Sequence, residues 1–127
     1  VARTADAPIG AEENAMTDAT QSIGILQFAL DSVVEQQQTI ANNIANEDTP
    51  GYQANQVTFE SSLSNALENG GEATAQSVPE GLSSGTNGNN VSLPTEMTLM
   101  QENDLQNQTI VNGLDDQFAL LSDAITG

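Results

Sequence analysis

Cysteine, histidine and tryptophan are absent from the 127-residue chain, and Arg3 is its only base. Without cysteine there is no disulfide framework and no thiolate chemistry. Without histidine a Ser–His triad is impossible, and the usual soft or imidazole metal sites lose their ligands. A single base excludes binding to the phosphate backbone of nucleic acid, which needs clustered Lys and Arg, and makes attachment to an anionic membrane unfavourable for the same reason. Eighteen acids against that one base leave a formal charge of −17 at pH 7. The acid count is ordinary for the length; the missing bases are the anomaly. They fit a saline or acidic habitat or a deliberate loss of bases. Such a charge favours solubility and opposes self-association until salt screens it. Aromatics make up 3% of the chain and apolar residues 37%, a thin supply for a core in a chain long enough for one domain at most. No apolar run is long enough to span a bilayer. The N-terminus lacks the basic and apolar regions of a secretory signal, which leaves a cytoplasmic location or an export route without a cleaved signal.

What is present centres on residues 41–52, ANNIANEDTPGY. An apolar-periodic run enters with Leu26, Leu30, Val33, Ile40 and Ile44, then stops at Asn46, Glu47, Asp48, Thr49, Pro50 and Gly51. Pro50 disfavours helical geometry at Thr49, and Gly51 permits a backbone angle other residues avoid. A long helix therefore ends here and the chain leaves extended, with Tyr52 just past the turn. Asn46 suits the helix C-terminus. Asn42 and Asn43 satisfy backbone groups there or bond across subunits.

Five segments follow from the pattern. Residues 1–16 are small, polar and acidic, and read as an irregular lead-in. Met16 is one candidate start, and a genuine arm that orders on a neighbour is the other reading. Residues 17–46 form the first long helix, capped by Thr17 or Asp18 and about 40–45 Å long. Residues 47–68 contain the turn, an extended arm with Val57 and Phe59 on one side, and a short helix with Phe59, Leu63, Ala66 and Leu67 on one face. Residues 69–90, rich in Gly, Ser, Asn and Thr, read as a flexible loop. Residues 91–127 form the second long helix. Ser92 caps it, Pro94 suits its first turn, and Glu96 lies near the positive end of its dipole.

Both long helices carry heptad spacing. In the second it runs through Leu93, Met97, Met100, Val111, Leu114, Phe118, Leu121 and Ile125, interrupted only by Asp104 and Asn107; Leu105 and Ile110 sit off this seam. The expected fold is mainly α, with the N- and C-terminal helices paired as an antiparallel coiled coil and a short extended or loop segment between them. The stripe is expected to serve partly inside this hairpin and partly between subunits.

No reactive site emerges. The paired acids Glu12-Glu13, Glu47-Asp48 and Asp115-Asp116 read as solvated faces, because acid–base work needs a group tuned by burial or a neighbour. No calcium-loop spacing occurs, and no cofactor, metal or enzymatic activity is expected.

Asn42, Asn43, Ile44, Ala45 and Asn46, followed by Thr49, Pro50, Gly51 and Tyr52, resemble the signature of the bacterial flagellar axial proteins, the rod and hook family. Gly88-Asn89-Asn90-Val91 before a long helix, then Asn103, Leu105 and Gln108, resembles the proximal-rod members, and the short middle section agrees. The likeness runs from about Ile25 to Ile125. It departs at Asn107, where the family usually has an aromatic, and along both helices, where Gln, Asn or Asp replace bases. The resemblance implies a structural subunit of the flagellar basal body, exported by the flagellar type III route. Implied partners are copies of itself, other rod proteins, the FliE adapter, the inner-membrane ring and the export gate, with no nucleic acid. The competing reading is a secreted helical hairpin that captures a partner helix in its groove.

Overall fold

The computed structural model describes residues 9–126. In chain order it contains α1 (Ile9–Ala45), β1 (Asn55–Thr58), α2 (Glu60–Asn69), β2 (Gln76–Pro79) and α3 (Leu93–Thr126). The mainly helical, paired architecture expected from the heptads is borne out. Three cross-contacts set the direction: Asn43 meets Glu96, Val33 meets Asn103, and Leu26 lies against Gly113. Residue numbers rise on one helix as they fall on the other, so the pair is antiparallel. At 37 residues α1 is about 55 Å long.

The first helix starts earlier than its cap residues suggest. Thr17 and Asp18 lie inside α1, which is already helical at Ile9. The stretch before them is rich in Ala and Glu, strong helix formers, and Ala19 is buried against the rest of the protein. Thr20 Oγ1 donates to the carbonyl of Met16 at 2.8 Å, a bond made within the helix. Of the lead-in read as irregular, residues 1–8 lie outside the described residues and the remainder is helical.

The stretch 69–90 is more structured than its composition implies. Gln76–Pro79 pairs antiparallel with β1 in the register Asn55 with Pro79 through Thr58 with Gln76. Val57 and Phe59 both turn inward, as the alternation predicts. The core is small: Ala29, Val33 and Phe59, bordered by Phe28, Leu63, Ala75 and Ile110. The rings of Phe28 and Phe59 meet edge to face at 6.2 Å and 77°, a geometry aromatic quadrupoles favour.

The continuous seam read for α3 divides in two. Leu114 is buried and Met100 and Leu121 are half-buried, whereas Leu93, Met97, Val111, Phe118 and Ile125 are exposed, with Phe118 at 49% and Ile125 at 66%. Asp104 is exposed too, and Ile110, set aside as off the seam, borders the core. The contact face is instead set by Glu96 and Asn103, both buried and hydrogen-bonded across to α1. Two buried polar anchors rotate the helix so that half of its apolar arc flanks the interface.

Candidate functional site

The turn after α1 and the segment before α3, separate motifs in the sequence, form one hydrogen-bonded knot. Gly51 takes φ +78 and its N–H donates to Asn87 O at 3.0 Å. Gly88 takes φ +80 and lies so close that a methyl group on it would come within 3.4 Å of Gly51 Cα. Both positions favour glycine for the backbone angle, and Gly88 also for this approach. Asn89 Nδ2 then donates to the carbonyls of Asn46 and Thr49 at 2.8 and 2.7 Å, closing the end of α1. Its Oδ1 accepts from Val91 N at 2.8 Å. Asn90 Oδ1 accepts from Ala54 N at 2.6 Å, and its Nδ2 donates to Leu82 O at 3.1 Å.

Asn43 is the centre of the knot and is fully buried. Its Nδ2 donates to Asn55 O at 2.7 Å and to Glu96 Oε2 at 3.1 Å, with a longer approach of 3.4 Å to Glu80 Oε1. Its Oδ1 accepts from Tyr52 OH and Asn55 N, each at 3.2 Å. One amide thereby ties α1, the turn, β1 and α3 together. Its neighbours in the signature play outer parts. Asn42 and Ala45 are exposed and Ile44 is half-buried. Asn46 Nδ2 caps the Asn42 carbonyl at 2.8 Å, and its Oδ1 accepts from Thr49 Oγ1 at 3.0 Å. Pro50 is exposed at the tip.

A second amide relay lies one layer down. Asn103 Nδ2 donates to Val33 O at 2.8 Å and approaches Gln36 Oε1 at 3.4 Å. Gln36 Nε2 donates to Val57 O at 2.9 Å and Glu60 Oε1 at 3.1 Å. Burial alone pushes the Glu60 carboxyl up. Hydrogen bonds from the Phe59 and Glu60 amides and from Gln36 and Gln106 outweigh it and hold the group below its usual range.

The apolar residues named from the heptads divide along the pair. On α1, Val33 and Ile40 are buried, and Leu26, Leu30 and Ile44 are half-buried. The paired acids Glu47-Asp48 and Asp115-Asp116, and Glu13, are exposed. The carboxylates that do meet, Glu80 and Glu96, are distant in sequence and carried no pattern that would reveal them. Among the described residues, no group of three or more acidic side chains is placed to hold a metal ion, and no helix is long and apolar enough to cross a membrane. Chemically, the site can hold a fixed angle between elements; it presents no nucleophile with a base.

The family model for flagella basal body rod proteins matches residues 34–53, the end of α1 and its turn. The flagellar basal body rod protein FlgB of Bacillus subtilis is 33% identical over 117 residues, covering 80% of this chain and 91% of that protein. The chain belongs to the FlgB family of flagellar basal body rod proteins. FlgB of Escherichia coli is 32% identical over 72% of this chain and 83% of its own length. FlgB of Aeromonas hydrophila is 28% identical over 84% and 94%. All three are flagellar basal body rod proteins. Membership places the chain among the components of the flagellar basal body. The knot joins the stretch matched by the family model to Asn89 and Asn90, which lie outside it.

Proposed function

We propose that the chain is a structural subunit of the proximal rod that assembles through its two terminal helices into an axial tube, transmitting torque and conducting exported subunits. One observation carries this reading. An apolar stripe of Leu93 and Met97, then of Val111, Phe118 and Ile125 beyond exposed Asp104, lies on α3 beside the contact with α1. A stripe of this kind, left uncovered by the rest of the chain, marks an interaction surface. The signature residues, Asn42 to Asn46 and Thr49 to Tyr52, serve in this reading to fix the angle at which the middle segment leaves the helices. Leu26, Leu30, Val33, Ile40, Ile44, Met100, Leu114 and Leu121 hold the hairpin. The partners in this reading are copies of the chain, other rod proteins, the FliE adapter, the inner-membrane ring and the export gate. The location is periplasmic, reached by the flagellar type III route without a cleaved signal.

The missing bases shape how assembly proceeds. At −17 per chain, copies repel until counterions screen them over about 10 Å or less. Sedimentation and electron microscopy across a salt series test the proposal. Ordered oligomers or tubes are expected at high salt, and Val111→Ser with Phe118→Ser should leave the chain monomeric and helical. A wild-type chain that stays monomeric throughout, or a double variant that assembles equally well, refutes it. The hairpin binding module has one supporting feature, an open groove of about 590 Å³ between α1 and α2, lined by Ile25, Phe28, Leu63 and Leu67. It predicts a monomer at every salt concentration.

A further inference from the structure

Glu80 follows β2 directly, and Glu96 lies in the first turn of α3. Glu96 is fully buried. The two carboxyls converge on one amide: Asn43 Nδ2 lies 3.4 Å from Glu80 Oε1 and 3.1 Å from Glu96 Oε2. Glu80 Oε2 and Glu96 Oε1 are both shut off from solvent, and no donor reaches either. No Lys or Arg occurs among the described residues to neutralise them. Two ionised carboxylates in such a position repel, and each buried oxygen lacks a hydrogen. One proton between them removes the repulsion and supplies the missing bond. A metal ion fits less well. Asn43 presents its NH2 group to both carboxyls, while its oxygen is occupied by Tyr52 OH and Asn55 N.

We propose that Glu80 and Glu96 share a proton in a carboxyl–carboxylate latch that fastens the end of β2 to the start of α3, and that loss of this proton loosens the end of β2. Burial, then the neighbouring Glu96, raises the Glu80 carboxyl to about 7. The groups around it are named readily. Asn43 faces the pair from α1, and Tyr52 of the turn and Asn55 of β1 hold the other side of its amide. Glu60 of α2 and Glu102 of α3 line the adjoining groove with Glu80. Glu60, held below the usual carboxylate range, stays ionised where the latch titrates and adds only negative charge. The folded chain thus keeps a proton that the unfolded chain has lost. The latch contributes fully below about pH 4.5, and its contribution disappears as pH rises toward 7.

The latch is independent of the assembly role and is tested on the monomeric full chain. Carboxyl carbon shifts followed by NMR from pH 4.5 to 8.5 should show Glu80 titrating near neutrality. The Glu80 amide, which donates to Ala54 O at 3.0 Å, should exchange on the order of tenfold faster at high pH after correction for intrinsic chemistry. Glu80→Gln supplies a permanent donor to Glu96 and should abolish that acceleration. Glu96→Gln should return Glu80 toward an ordinary carboxylate; should that variant fail to fold, Glu80→Gln decides alone. Titration of Glu80 in the ordinary range, or acceleration that persists in Glu80→Gln, overturns the latch.

Discussion

At the turn end, α1 meets α3 through Asn43, Glu96 and Asn103; at the open end Leu26 lies against Gly113, with Ala19, Ile23 and Leu114 buried nearby in the two helices. The first set is polar, fully buried and directional. A slip of one residue there would leave amide and carboxyl groups without partners, at about 1–3 kcal/mol each. The second set is apolar and tolerant, and the exposed Val111, Phe118 and Ile125 lie on that half of α3. Register is therefore fixed at the turn end of the hairpin, while exposed apolar surface continues to the open end. The contrast explains how a chain with a three-residue core cluster can still specify one arrangement.

The comparison can be broken most severely at its centre. Asn43→Ala should destabilise the chain by about 3 kcal/mol, because it removes one partner from Asn55, Glu96 and Tyr52 together. Urea unfolding at neutral pH measures this. Gly88→Ala should follow at about 1–2 kcal/mol, since a positive φ and a 3.4 Å approach to Gly51 Cα must both be endured. The same unfolding assay measures it, and loss of protection at the Gly51 amide should accompany it. At the open end, Phe118→Ser should change monomer stability by less than about 1 kcal/mol, because half of the ring is already in water, while lowering assembly in high salt. Sedimentation of wild type and variant side by side separates the two effects.

The smallest effect sharpens the comparison by pH. Glu60 has a folded-state pKa below its usual value. Its contribution is present above the unfolded value and is lost as pH falls through the folded one. Glu60→Gln should therefore weaken the chain by roughly 0.3–0.5 kcal/mol near pH 7, allowing for solvent screening at a largely exposed group. The difference should vanish in strong acid. Glu80 has the opposite sign, so the variants Glu60→Gln and Glu80→Gln should move the pH profile of unfolding in opposite directions.

Most of the architecture is legible in the sequence. The stop at Thr49-Pro50-Gly51, the alternation of Val57 and Phe59 and the two apolar-periodic runs each reflect local chemistry: ring sterics, glycine freedom, and side-chain periods of two and about three and a half. Less legible were the helix start at Ile9, where Ala and Glu propensity prevailed over two plausible caps, and β2, whose residues gain order only by pairing with β1.

Sequence by itself determined that there would be two long helices, a sharp exit between them, no thiol or imidazole chemistry, and a single base. Only the tertiary structure decided which apolar residues face inward, because buried Glu96 and Asn103 turn α3 about its axis. It alone brought Gly88 onto Gly51, Asn89 onto the end of α1, and Glu80 against Glu96. Periodicity is a property of neighbours along one element, whereas a hydrogen bond between distant residues depends on where the whole chain has carried them.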